Sequence, residues 1–166
     1  MPYTNTNMGT ASQPSDWGPA VDRLKIRSGE ARVEAALGVL ILGHIMDAPG
    51  RIDRATDLQL SAASEAFKRI GTEASNTLAA DAESKANAFN RLTEFENAMA
   101  SISEDAEVAA VLLAPMCDRL KGSIRNDHFL ILRSAANAAV RLQALADYSA
   151  DVAPDAEAAP NQAVTN

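Results

Sequence analysis

The sequence predicts an all-α fold: an elongated helical bundle or helical hairpin with coiled-coil-like seams, about four or five helices, and disordered polar termini. Three observations carry that expectation. Alanine makes up roughly a fifth of the chain against an ordinary usage well below that, and it is the best helix former. Aromatic residues are 4% of the 166 residues, too few for the half-buried faces of a sheet. Apolar residues recur at steps of three and four over most of the length, the period of a helix with one buried face.

Gly18-Pro19 marks the start of the first helix, because a proline at the first helical positions gives up an N–H that has no partner there; Asp16 or Ser15 offers a cap. Leu24, Ser28, Ala31, Ala35, Gly38, Leu42 and Ile45 step 4-3-4-3 along one narrow face of mostly small residues, and Val33, Leu37, Leu40 and Ile41 form a second apolar face. From Ala35 to Met46 the helix is apolar nearly all round. The expectation is burial on every side, as a central helix or within an oligomer. Gly38 and Gly43 each cost a helix about 1 kcal/mol against alanine, so both are read as points of close backbone approach. Asp47-Ala48-Pro49-Gly50 ends the helix.

Residues 51–102 contain no proline and one glycine, Gly71. Leu60, Ala63, Phe67, Ile70, Ala74 and Leu78 hold a seam that resumes, after a stutter, through Ala88, Leu92, Phe95, Met99 and Ile102. Two readings stand: a continuous or merely kinked rod, about 75 Å long at 1.5 Å per residue, or a break with Gly71 as C-terminal cap and Thr72 as the next N-cap. Asp81 and Lys85 sit in the core phase of this seam, as a solvated i,i+4 pair or as a polar layer that sets register in an oligomer. Ser101 or Ser103 is expected to begin the next helix, with Ala109, Leu112, Leu113, Met116 and Leu120 inward, Pro115 kinking or ending it and Gly122 closing it. Ser123 or Asn126 begins the last helix, whose seam runs Ile124, His128, Ile131, Ala135, Ala138, Leu142, Leu145.

The division that follows is a flexible N-terminal arm at 1–17, a helical bundle at 18–150 and an acidic, Ala/Pro-rich tail at 151–166. Twenty-two acidic against 15 basic residues give a net charge of −7, without the basic face that phosphate backbones require, so no broad nucleic-acid binding is expected. The N-terminus lacks the basic start and apolar run of a secretory signal, and the longest apolar run is too short to span a bilayer, so a soluble protein is expected. A single cysteine, Cys117, excludes an internal disulfide and a four-thiolate metal site.

Chemistry is sparsely represented. His44 and His128, the only histidines, fall in apolar helical surroundings; neither has glutamate three residues before it, so the carboxylate-histidine pattern of di-iron bundles is absent. If the two met, they would make a metal pair or a pH switch. Cys117 reads as a structural thiol, since no oxyanion-hole signature accompanies it. The run Asp118, Arg119, Leu120, Lys121, Gly122, Ser123 resembles the His-x-Leu-Lys-Gly-Ser motif of histidine phosphotransfer domains, which are four-helix bundles. The resemblance implies a degenerate phosphotransfer fold, in which Asp118 replaces the phosphate-accepting histidine. Trp17, the only tryptophan, either packs back on the bundle or anchors the arm in a neighbour.

The function expected from these features is a non-enzymatic structural or assembly protein, of the virion, tail, filament or secretion-component kind, that joins copies of itself or other subunits through apolar helix faces. The residues assigned to that contact are Trp17, Leu37, Leu40, Ile41, Phe89, Leu92, Phe95 and Met99. No catalytic, cofactor or metal residue is assigned. A small adaptor binding a partner helix is the alternative, followed by the phosphotransfer-like bundle or a ligand site at the bundle centre.

Overall fold

A computed structural model describes residues 17–47 and 53–147. They form four helices: α1 Gly18–Met46, α2 Arg54–Glu83, α3 Ala88–Leu120 and α4 Asn126–Ala146. The arm at 1–16, the segment 48–52 and the tail from 148 lie outside the described residues. Each helix packs against its neighbours in sequence, and α4 closes on α1, which makes an antiparallel four-helix bundle. Across the centre α1 touches α3, whereas α2 and α4 do not meet. The cross-section is therefore flattened, and the buried face of α1 carries Ser28, Ala31 and Ala35, side chains small enough for helices to approach closely.

The inward seam of α1 is the one expected, since Leu24, Ser28, Ala31, Ala35, Gly38, Leu42 and Ile45 are all buried. The expectation of burial all round from Ala35 to Met46 is not met within one chain: Leu37 and Leu40 remain exposed to water. α1 occupies one corner of the bundle, so only the arc facing α2, α3 and α4 is covered. The glycines also separate. A Cβ on Gly38 would lie 2.7 Å from the Phe67 ring, so this position does require glycine, while a Cβ on Gly43 would meet nothing within 4 Å.

Residues 51–102 form neither a rod nor a pair of helices divided at Gly71. Gly71 lies inside α2, and the chain reverses at Ser84–Asn87 instead. Ser84 is extended and accepts the Ala86 N–H, and Asn87 caps α3 by accepting the Asn90 N–H at 2.9 Å. The reversal folds Leu92, Phe95, Met99 and Ile102 back into the core, where each is at most 2% exposed. Burying four such side chains is worth roughly 6–12 kcal/mol, against about 1 kcal/mol net for each helical hydrogen bond lost at the turn. Burial prevails over local propensity.

That reversal also corrects two further expectations. α3 begins at Ala88 rather than at Ser101 or Ser103, and it runs through Pro115 without stopping. Pro115 and Val111, whose carbonyl loses its usual donor, are both on the exposed side of the helix, where the carbonyl is open to solvent, while Leu113 and Met116 are buried in the core. Gly122, at φ 77°, then terminates the helix as expected, and α4 starts at Asn126. Its end is capped from another element: the Arg27 guanidinium on α1 donates to the carbonyls of Ala144, Leu145 and Asp147 at the negative end of the helix.

Candidate functional site

The outer face of α1 carries more exposed large apolar side chains than any other described helix. Ile26, Val33, Leu37 and Leu40 are 63%, 56%, 46% and 69% exposed. With Glu30 and His44, also exposed, they step 4-3-4-3-4. This is a second heptad seam on the side of the helix opposite the inner one. Its middle carries bulkier aliphatic groups than the inward face does, where Ser28, Ala31, Ala35 and Gly38 lie. The inner face must be small because α2, α3 and α4 converge there; the outer face meets no such limit within the chain.

Two side rows flank this seam. On one side stand Gly29, Ala36 and Gly43, seven residues apart, and Cβ atoms built on the two glycines find open space. On the other stand Arg27, Glu34 and Ile41, all half-buried. Glu34 accepts from Arg141 of α4, whose Nε lies at 2.8 Å, and Arg27 caps α4, so both charges are engaged within the bundle. Between α1 and α4 these residues border an open groove of about 840 Å³ with Ile26, Gly29 and Val33 on one wall and Ala144 and Leu145 on the other. Exposed large apolar residues elsewhere are scattered over three helices: Leu58 on α2, Phe89 and the neighbours Val108 and Val111 on α3, and Leu130 and Val140 on α4.

The eight residues expected to make contacts divide accordingly. Leu37 and Leu40 lie on the outer seam, with Ile41 half-buried at its edge. Phe89 is exposed, at the other end of the molecule's logic: its ring meets Trp17 edge-to-face, centroids 6.1 Å apart, so Trp17 packs back on its own bundle. Leu92, Phe95 and Met99 are 2%, 1% and 0% exposed and belong to the interior, unavailable to a partner. Ile26 and Val33 complete the seam, and Ile26 was not assigned to it from the sequence. Continuing the heptad from Leu40 and Leu37 back through Val33 to Ile26 was the signal that would have found it.

The remaining polar groups serve the fold. Asp81, with its side chain 3% exposed, accepts from Arg91 of α3 at 2.7 Å and from Lys25 of α1 at 2.9 Å, so one carboxylate ties three helices at the hairpin end. Burial opposes its ionisation, but the hydrogen bonds from Arg91 and Lys25 together outweigh that and hold the carboxyl below its ordinary range. Lys85 is exposed beyond the helix end, so the expected Asp81–Lys85 pair gives way to these two partners. At the opposite end Arg119 donates to Thr56 Oγ1 and Gln59, and the Thr56 hydroxyl donates to Asp53, the N-cap of α2.

His128 is half-buried beside a cleft of about 130 Å³ with Thr56, Leu60, Met116 and Leu132, whereas His44 is exposed on the outer seam of α1. Among the described residues no group of three or more histidine, cysteine or carboxylate side chains is placed to hold a metal ion. Burial foremost, with the adjacent Asp118 charge, pushes the Cys117 thiol up, the opposite of what an activated nucleophile needs. Asp118 is exposed in the last turn of α3, and the motif around it spans the helix end at Leu120. No described helix is long and apolar enough to cross a membrane. Compared with known proteins, the chain matches no family model, no curated protein and no solved structure.

Proposed function

We propose that this protein is a non-enzymatic assembly subunit that associates, with copies of itself or with other subunits, through the outer face of α1. The observation that carries the reading is the exposed heptad of Ile26, Val33, Leu37 and Leu40 on a helix whose opposite face already satisfies the bundle. Full burial of such a side chain is worth about 1.5–3 kcal/mol. These four are roughly half exposed, so covering them gives about 3–6 kcal/mol per chain on the same scale, or about 6–12 for two chains. Association itself costs about 4–15 kcal/mol. The two are of the same size, which fits a reversible, concentration-dependent contact strengthened by neighbouring surfaces.

A second reading, a small adaptor, is favoured by the open groove between α1 and α4, which has the apolar walls and charged rim that an amphipathic partner helix would take. Light scattering on the purified chain over a concentration series separates the two. Self-association predicts a mass rising above 17.5 kDa, and Leu40→Glu, on the exposed face, weakening it at least tenfold with helicity unchanged. A constant monomeric mass at every concentration refutes the self-assembly reading and leaves the adaptor.

A further inference from the structure

We infer that the occupant of the outer α1 seam is a second copy of this chain, its own α1 antiparallel to the first across a two-fold axis that passes between Val33 and Leu37. This rests on the self-association reading above. It adds the orientation, the register and the paired residues.

The sequence order of the seam sets the register. When antiparallel heptads meet, each layer pairs positions whose numbers share a constant sum. Only one register uses all six seam residues: Val33 opposite the partner's Leu37, Glu30 opposite the partner's Leu40, and Ile26 opposite the partner's His44. Sliding by one heptad in either direction leaves two of the six without a counterpart. In the full register the small row also matches itself, with Gly29 beside the partner's Gly43 and Ala36 beside the partner's Ala36. No Cβ stands on either glycine, so the helix axes can close on that side.

Charge complementarity selects the direction. A parallel, in-register pair would set Glu30 against Glu30 and His44 against His44, like against like inside a seam. The antiparallel pair separates them and brings the partner's His44 to within one layer of Glu30, where an imidazole N–H can donate to the carboxylate. Glu34 would face the partner's Glu34 across the axis, and each already accepts from its own Arg141. From Ile26 to His44 the seam is about 27 Å long. Standard stable interfaces bury about 800 Å² per partner, which a single helix of that length approaches only with help from the adjoining α4 edge. The geometry accordingly describes a reversible dimer rather than an obligate one.

Engineered cysteines test this in the full-length chain with Cys117→Ser. Ala36→Cys is expected to form a disulfide-linked dimer under mild oxidation. Gly29→Cys alone and Gly43→Cys alone are expected to remain uncrosslinked, while an equimolar mixture of the two yields the linked dimer. All three positions face outward, so the substitutions leave the fold intact, which circular dichroism checks. Self-linking of Gly29→Cys overturns the antiparallel arrangement. A chain that associates by light scattering but gives no link at any of these positions overturns the α1 interface while leaving self-assembly standing. A strictly monomeric chain overturns both.

Discussion

Replacing Gly38 with alanine tests whether the α1–α2 contact is as close as the structure places it. In an open helical position Gly→Ala stabilises by about 1 kcal/mol. At Gly38 the new methyl would sit 2.7–2.8 Å from Cδ1, Cε1 and Cγ of Phe67, against an ordinary carbon contact of about 3.5–4.0 Å. Cγ is among the three atoms, so rotating the ring about its own axis gives no relief; the whole side chain must shift. Phe67 is fully buried, and overpacking of a filled core costs about 1–3 kcal/mol. With three ring atoms inside 3 Å the cost falls in the upper part of that range, about 1.5–3 kcal/mol, so the net expectation for Gly38→Ala is destabilisation by about 0.5–2 kcal/mol. Gly71→Ala is the control, because its methyl would meet Ala35 Cβ at 3.8 Å, an ordinary contact, and should stabilise α2 by about 0.5–1 kcal/mol. Urea unfolding followed at 222 nm, at fixed protein concentration, reads both. With a slope of about 2 kcal/mol per M, the midpoints should move apart by roughly 0.5–1.5 M. A Gly38→Ala midpoint at or above wild type refutes the close approach. Phe67→Leu combined with Gly38→Ala should cost less than the two singles added, since the smaller side chain removes the overlap.

Other outcomes follow from the same structure. Asp81→Asn should destabilise by about 1.5–3 kcal/mol at neutral pH, the worth of hydrogen bonds to a charged group. Because the folded carboxyl is held below its unfolded value, its contribution is complete above the unfolded pKa and disappears as pH falls through the folded one. Unfolding midpoints of wild type and Asp81→Asn should therefore converge as acid is added below about pH 4; parallel curves down to pH 2 would count against the Lys25–Asp81–Arg91 tie. Ser28 Oγ is buried with no hydrogen-bond partner among the described residues, so Ser28→Ala should raise stability by about 1 kcal/mol, seen as a higher Tm in a thermal melt. Asn87→Ala should lower it by about 1 kcal/mol through loss of the α3 cap, with amide exchange accelerating first around residues 88–92; uniform exchange along α3 would refute that role.

Much of the architecture was legible because helical periodicity is a local property. A step of three or four residues places side chains on one face whatever surrounds them, so the inner seam of α1 could be read position by position. The cap and stop signals at Gly18-Pro19, Asp47 and Gly122 act within a turn of where they stand and were equally readable. The apolar groups at Leu37 and Leu40 could likewise be recognised as a second face without knowing what would cover it.

Tertiary structure decided what depends on residues distant in the chain. Ser84–Asn87 carries ordinary cap residues among strong helix formers; the turn forms there because folding back buries Leu92, Phe95, Met99 and Ile102 against α2, an energy that no local window contains. Gly38 and Gly43 look alike in sequence, and only the position of Phe67, 29 residues further on, makes one a close contact and leaves the other open. Asp81 found Lys25 and Arg91 rather than Lys85 for the same reason: three helix ends converge on it in space. The sequence alone determined which faces are apolar. Only packing determined which of them the chain covers itself, because a side chain's burial is set by the helices around it and not by its neighbours along the chain.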